Sequence, residues 1–129
     1  MGIPEDLKYT KDHEWGRIEG SLMRVGITDY AQSELGDVVF VELKAKGTRL
    51  KAGETFGTVE SVKAVSDLYA PVSGVITETN PELEQSPELV NQDCYGAAWM
   101  IVIAMDDPSE AGRLMDAAAY TRFVASEAR

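Results

Sequence analysis

Lys63 sits inside Glu60-Ser61-Val62-Lys63-Ala64-Val65-Ser66-Asp67, a run that is nearly its own mirror image about the Lys63-Ala64 bond. Val62 reflects onto Val65, Ser61 onto Ser66 and Glu60 onto Asp67. Strand-like Gly57-Thr58-Val59 precedes the run and Leu68-Tyr69-Ala70-Pro71-Val72 follows it. The pattern predicts two antiparallel strands joined by a tight turn, facing residues paired across the ladder, with Lys63 at the tip. The turn lacks Asn-Gly or Gly-X chemistry, so a loop built on a type I turn is expected in place of a primed two-residue one. In the mirrored register Glu60 faces Asp67, and two facing carboxylates cost stability. A pair kept at that cost points to a use other than folding, although for any one exposed acid a solvated flank is the simpler reading. Taken by itself, Lys63 is an exposed lysine on a turn, and most such lysines carry no chemistry; were it acylated, an amide on the ε-nitrogen would remove the charge and fix a group to a long, rotating side chain.

Other chemistry has little to work with. The chain has one histidine, His13, and one cysteine, Cys94. A zinc cluster or a Ser-His or Cys-His pair therefore has little support, and neither a catalytic residue nor a metal ligand is expected. An internal disulfide is impossible, so two-electron thiol chemistry would have to come from an attached group. Trp15 and Trp99 read as core aromatics, and Met100 and Met105 as gap-fillers in one strand.

The elements that would position Lys63 fit one domain spanning residues 1–129. That length hides a core without disulfides or metals. Apolar residues make up 44% and charged residues 26%, ordinary values for a soluble globular protein. With 22 acidic against 12 basic residues the net charge is -10, which repels nucleic acid and anionic lipid and favours basic patches on protein partners. The N-terminus has neither an apolar signal core nor an Arg-rich amphipathic stretch, and the longest apolar run, Ala97 to Met105, is too short to span a bilayer.

Two early strands are predicted, joined by a turn at Glu19-Gly20-Ser21; in the second, Met23, Val25 and Ile27 alternate with Arg24 and Gly26, so one face is buried. Thr28 and Asp29 offer an N-cap, Asp29 and Gln32 have capping-box spacing, and Gly36 is placed to end a helix of about two turns. Asp37 to Leu43, apolar on nearly both parities, suits a strand in the middle of a sandwich or barrel. The hairpin occupies 55–70, and a strand from Val75 to Thr79 stops at Asn80-Pro81. Glu82 to Asn91 reads as a loop with short helical turns, closed onto the core by Leu83 and Leu89, and Ala97 to Met105 as a strand buried on both faces. Asp107-Pro108-Ser109-Glu110 is a helix-start signature, and Ala111, Leu114, Met115 and Ala118 follow at helical spacing, which predicts a helical tail over 107–129. Strands first and helices last make a mainly β domain with a C-terminal helical cover.

Val59 to Ala64 and Ser66 to Gly74 resemble the lipoyl-attachment hairpin of the glycine cleavage system H-protein family. The likeness continues through Tyr9-Thr10, His13-Glu14-Trp15, Val25 to Gln32, Leu35 to Val41 and Pro87 to Asn91, covering nearly the whole chain in order. The resemblance implies a barrel-sandwich hybrid, two small antiparallel sheets with a short internal helix and C-terminal helices. It implies lipoate held as an amide on Lys63, and a non-catalytic shuttle that carries an aminomethyl group from a pyridoxal-phosphate glycine decarboxylase to a folate-dependent aminomethyltransferase. Dihydrolipoamide dehydrogenase and lipoate-attaching enzymes would be the remaining partners, for a cytoplasmic monomer, with a mature mitochondrial form left open. It also implies that Glu14 helps hold the loaded, cationic arm, while Glu60 and Asp67 help the modifying enzyme find Lys63. Cys94 stands where the family usually has Pro, Lys44 likewise, and Ala97-Ala98 replace a charged residue and a Gly; these departures touch loop shape and leave the hairpin intact.

Four rivals bear on the hairpin. A biotin carrier sets its lysine between two methionines, whereas Val62 and Ala64 flank Lys63. A lipoyl domain of a 2-oxoacid dehydrogenase usually has Asp before the lysine and no helical tail. An H-like protein relaying its lipoyl group to other enzymes, or an unmodified acidic binding module, would share the sequence pattern.

Overall fold

The computed structural model describes residues 2–127 and resolves the period-two patterns into nine strands, mainly β as expected. In chain order these are β1 (Lys8–Tyr9), β2 (Glu14–Glu19), β3 (Leu22–Ile27), β4 (Val38–Leu43), β5 (Arg49–Leu50), β6 (Thr55–Ser61), β7 (Val65–Tyr69), β8 (Gly74–Thr79) and β9 (Ile101–Met105). Six of them form one antiparallel sheet in the order β1-β2-β3-β9-β8-β5, and three form a second in the order β4-β6-β7. The inward residues of both sheets meet in one core: Met23, Val25, Ile76, Ile101 and Ile103 from the first, Val41, Phe56, Val59 and Leu68 from the second, all buried. Each such side chain contributes on the order of 1.5–3 kcal/mol by leaving water.

The β2–β3 hairpin pairs Glu19 with Leu22 across Gly20, whose φ of 67° suits the first position of a type II′ turn. Helix α1 (Asp29–Leu35) starts where its caps predict: the Thr28 hydroxyl accepts from Ala31 N at 3.2 Å, and Gly36, at φ 79°, ends it. Asp29 and Gln32 meet side chain to side chain, the Gln32 amide donating to Asp29 Oδ1 at 2.8 Å. Two one-turn helices, α2 (Glu82–Gln85) and α3 (Leu89–Gln92), fill the expected loop. Leu83 closes the first onto the core as expected, and the half-buried Leu89 packs against the same core beside the fully buried Val90 in the second.

Three expectations are corrected. β4 is an edge strand, not a central one, and its apolar residues fall on both parities because a bulge between Val38 and Phe40 shifts the register. Val38 and Val41 both turn to the core while Val39 and Phe40 stay about half exposed. β9 begins at Ile101, since Ala97 N donates to the Asp93 carboxylate at 2.8 Å and Trp99 N to Gly96 O at 3.1 Å, which bends the preceding residues into turns. It is buried at every position but Ala104.

The tail is not one helix. A 3-10 helix (Pro108–Arg113) ends at an extended Leu114, Met115 pairs with Tyr9 at the sheet edge, and helix α4 (Ala117–Glu127) then starts under an Asp116 cap. The Tyr9 pairing, invisible to local sequence, draws Met115 out of the helical path. Residues 128–129 of the predicted tail lie outside the described residues. A second apolar cluster of Leu7, Tyr9, Trp15 and Tyr120 holds α4 in place, with the rings of Tyr9 and Tyr120 stacked at 4.5 Å. Among the described residues no helix is long and apolar enough to cross a membrane.

Candidate functional site

The β6–β7 ladder carries Lys63, but not in the mirrored register. Glu60 pairs with Val65, Val59 with Ser66, and Thr58 with Asp67. Glu60 and Asp67 therefore do not face each other, and the repulsion argument falls. Ser61 decides the register: its N–H donates to Ala64 O at 2.8 Å, and its Oγ accepts from Ala64 N at 3.1 Å and Lys63 N at 3.3 Å. The turn thus encloses only Val62 and Lys63. Neither has positive φ, so the turn is unprimed, as its residues predict, though two residues long.

The tip hangs from neighbouring elements. Val62 N donates to Asp37 O at 3.0 Å, and Asp37 is itself fixed between two residues that Asn91 clamps. Asn91 Oδ1 accepts from Val38 N at 2.8 Å, and its amide donates to Gly36 O and to Gln32 Oε1, both at 2.9 Å. Helix α3 thereby ties the end of α1 to the start of β4. The lysine stem crosses Gly36: a Cβ there would lie 3.4 Å from Lys63 Cε. Lys63 is exposed, and among the described residues its amine has no hydrogen bond or ion pair.

Along β7, hydrogen-bonded and non-bonded pairs alternate, so the N–H groups of Val65, Asp67 and Tyr69 point away from β6. Tyr69 N finds Glu14 Oε2 at 3.2 Å, and the Thr10 hydroxyl donates to Glu14 Oε1 at 2.5 Å. Glu14, at the start of β2, is 1% exposed and so stitches the six-stranded sheet to the three-stranded one. Burial pushes its carboxyl up to about 7, outweighing the two hydrogen bonds, which favour the charged form.

A cleft of about 310 Å³ opens between α1, β7 and the end of α4. Its floor is apolar, from Ile27, Val59 and Leu68, and its walls carry four carboxylates, Asp12, Glu34, Asp67 and Glu127. Among the described residues no three such groups converge closely enough to hold a metal ion, so the negative field is spread along the walls. That arrangement suits an elongated, partly apolar group with a cationic end. Of the sequence-predicted residues, Asp67 lines this cleft. Glu14 lines a neighbouring one with Tyr69 and Arg113, the two sharing Asp12, and Glu60 lies exposed on the outer face of the small sheet.

Sequence reasoning missed how the cleft is walled. His13 takes a left-handed φ of 68°, its Nδ1 lies 2.8 Å from the Tyr120 hydroxyl, and its Nε2 lies 3.1 Å from Glu127. The Tyr120 hydroxyl also meets Thr28 Oγ1 at 2.7 Å, so one chain of polar contacts joins the cap of α1 to the end of α4. Only the Thr28 cap signal was local enough to read; the partners lie about a hundred residues away. Cys94 is buried, its carbonyl accepts from Trp15 Nε1 at 2.9 Å, and burial pushes its thiol up to about 12, a setting for an unreactive thiol.

The family model for the Glycine cleavage H-protein matches residues 7–127. A glycine cleavage system H protein of Chlorobium limicola is 59% identical over 126 residues, 96% of this chain and 98% of the relative. One from Salinibacter ruber is 60% identical over 120 residues, 93% of this chain and 97% of the relative. The crystal structure of a glycine cleavage system H protein from Mycobacterium marinum has a TM-score of 0.85 at 40% identity, covering 98% of this chain and all of that one.

Proposed function

This chain belongs to the glycine cleavage H-protein family, and on that premise we propose that it is the system's lipoyl carrier, with lipoate held as an amide on Lys63 Nζ. What carries the reading is the exposed amine at the tip of a turn whose backbone N–H groups are all held, Val62 N by the Asp37 carbonyl, Lys63 N and Ala64 N by Ser61 Oγ, and Ser61 N by the Ala64 carbonyl. A stiff base with a mobile tip raises the effective concentration of whatever the tip holds at successive partners. When bound, the dithiolane supplies the disulfide that accepts an aminomethyl group and the dithiol that is later reoxidised. The chain itself is a carrier and not an enzyme.

Its own residues hold and orient. Lys63 is the pivot, and Gly36 leaves room for the lysine stem beside α1. Asp67, with Asp12, Glu34 and Glu127, offers negative charge to a cationic arm end, while Ile27, Val59 and Leu68 offer it an apolar floor. Glu14 serves the arm through β7, whose last N–H it holds, since its carboxylate is buried and engaged. Glu60 and Asp67 guide the modifying enzyme to the hairpin. The partners are the glycine decarboxylase, the aminomethyltransferase, dihydrolipoamide dehydrogenase and lipoate-attaching enzymes. The setting is the cytoplasm, and the carrier works as a monomer whose charge of -10 steers short, salt-sensitive encounters.

Lys63→Arg tests the reading. The variant keeps the charge but cannot form the amide, so it is expected to fold normally and to support no glycine cleavage in a reconstituted system. Activity near that of the unaltered protein would overturn the assignment.

A further inference from the structure

Four carboxylates wall the cleft, and His13 singles out one of them. Asp12, Glu34 and Asp67 are exposed, and among the described residues their side chains make no hydrogen bond or ion pair. Glu127 differs, since its Oε1 lies 3.1 Å from His13 Nε2. The contact has a direction. An ionised carboxylate only accepts and a neutral imidazole has one N–H, so that proton sits on Nε2, and Nδ1 accepts from the Tyr120 hydroxyl at 2.8 Å. With its own proton committed, Tyr120 Oη accepts from the Thr28 hydroxyl at 2.7 Å, and Thr28 Oγ1 accepts from Ala31 N at 3.2 Å. Every donor in this chain, from the first turn of α1 to the last turn of α4, points toward Glu127. His13 is also the one non-glycine residue of positive φ among those described, a conformation that costs any residue with a Cβ. Strain of this kind persists only where the surroundings fix it, and the ring packs against Tyr30 and Phe123 at centroid distances of 4.7 and 5.7 Å.

We propose that His13 is a positioning residue for the loaded arm: by holding Glu127 Oε1 it fixes that carboxylate on the cleft wall, with Oε2 left to take the arm's cationic end. The proposal rests on the assignment of the arm to Lys63. An exposed glutamate at a helix end is free to turn about its side-chain bonds, and pairing it with a cation freezes that freedom at a cost. His13 imposes the order before the arm arrives, so less affinity is lost when it does. Both ends of the chain of donors are anchored: Thr28 caps α1, and Tyr120 is fully buried and stacked on Tyr9. Asp12, Glu34 and Asp67 have no such holder, and they contribute a diffuse negative field and not a fixed seat. A histidine that only packed would leave its tautomer open and Glu127 unordered.

Spontaneous release from the loaded arm reads how well its end is held, since water frees the aminomethyl group as formaldehyde and ammonium and returns the thiol, with no oxidant or reductant. Each full-length carrier is lipoylated, loaded by the decarboxylase, separated from it and followed for ammonium, a first-order rate that does not depend on how much was loaded. His13→Asn tolerates the left-handed backbone and can meet Tyr120 but stops short of Glu127, whereas His13→Gln reaches the place of Nε2 and can donate to Glu127. Release is expected to be about fivefold faster in His13→Asn and within about twofold of the unaltered carrier in His13→Gln. Glu127→Gln should match His13→Asn, and the two combined should be no faster than either. A second readout needs no arm. His13 is the only histidine in the sequence, so nitrogen NMR of the unloaded carrier reports its ring alone. With the ring neutral, the proton is expected on Nε2, and Tyr120→Phe should spread it over both nitrogens. A proton found on Nδ1, release from His13→Asn as slow as from the unaltered carrier, or release from His13→Gln as fast as from His13→Asn overturns the proposal and leaves Lys63 as the attachment point. If the unaltered protein takes no lipoyl group, the assignment to Lys63 falls first and this role of His13 with it.

Discussion

The two sheets use apolar residues differently. In the six-stranded sheet β9 lies between β3 and β8 and is buried along nearly its whole length, so its apolar run is spent on the core. In the three-stranded sheet the inner side chains of Val41, Val59 and Leu68 reach the same core, while Phe40 and Val65 face water beside the tip. The apolar run of β9 therefore serves packing alone, whereas the apolar residues of the small sheet divide between the core and the solvent. The larger sheet is the scaffold, and the smaller one is the working surface stitched to it by Glu14 and hung from α1 by Asn91.

The contrast is broken most directly by paired truncations. Ile103→Ala in β9 leaves a cavity and is expected to cost about 2–5 kcal/mol by denaturant unfolding, whereas Phe40→Ala on β4 should cost under about 1 kcal/mol. Equal losses would mean that the small sheet's outer face is structural.

Glu14 tests the seam. Its folded carboxyl, near 7, lies above its ordinary 4.5, so the folded state holds the proton more tightly than the unfolded chain does. The associated stability is present below about pH 4 and is lost as pH rises through 7, to a total on the order of 3 kcal/mol. Glu14→Gln does not ionise, so its stability relative to the unaltered protein should climb between about pH 5 and 7. Parallel pH profiles would show that the carboxyl is not held in this state.

Asn91→Ala leaves Val38 N and Gly36 O without their partner, and should lower stability by about 1–3 kcal/mol. A melting temperature unmoved by this change would mean that Asn91 does not hold the small sheet to the end of α1. The smallest effect on stability is expected of Glu60→Gln, which should leave the melting temperature alone while slowing lipoylation. Unchanged modification kinetics would return Glu60 to the role of a solvated flank.

Much of the scaffold was legible because its signals are local: the Thr28 cap, the Gly36 stop, the Gly20 turn and the alternation of Met23, Val25 and Ile27. Lys63 at a hairpin tip was legible as well. The register was not, because the near-palindrome suggests a centre at Lys63-Ala64, while Ser61 Oγ and the Asp37 carbonyl move it to Val62-Lys63. Nor was the place of β4, since a strand apolar on both parities reads the same whether covered on both faces or bulged at an edge. The tail reads as one helix until Met115 pairs with Tyr9, more than a hundred residues earlier. The His13, Tyr120 and Glu127 contacts that wall the cleft were out of reach for the same reason.

Intact-mass measurement with peptide mapping, after incubation with a lipoate-attaching enzyme, lipoate and ATP, tests the central claim. The expected result is a gain of a single lipoyl group, carried wholly by the peptide that contains Lys63. No gain in mass, or a gain mapped to another lysine such as Lys44 or Lys51, would contradict it.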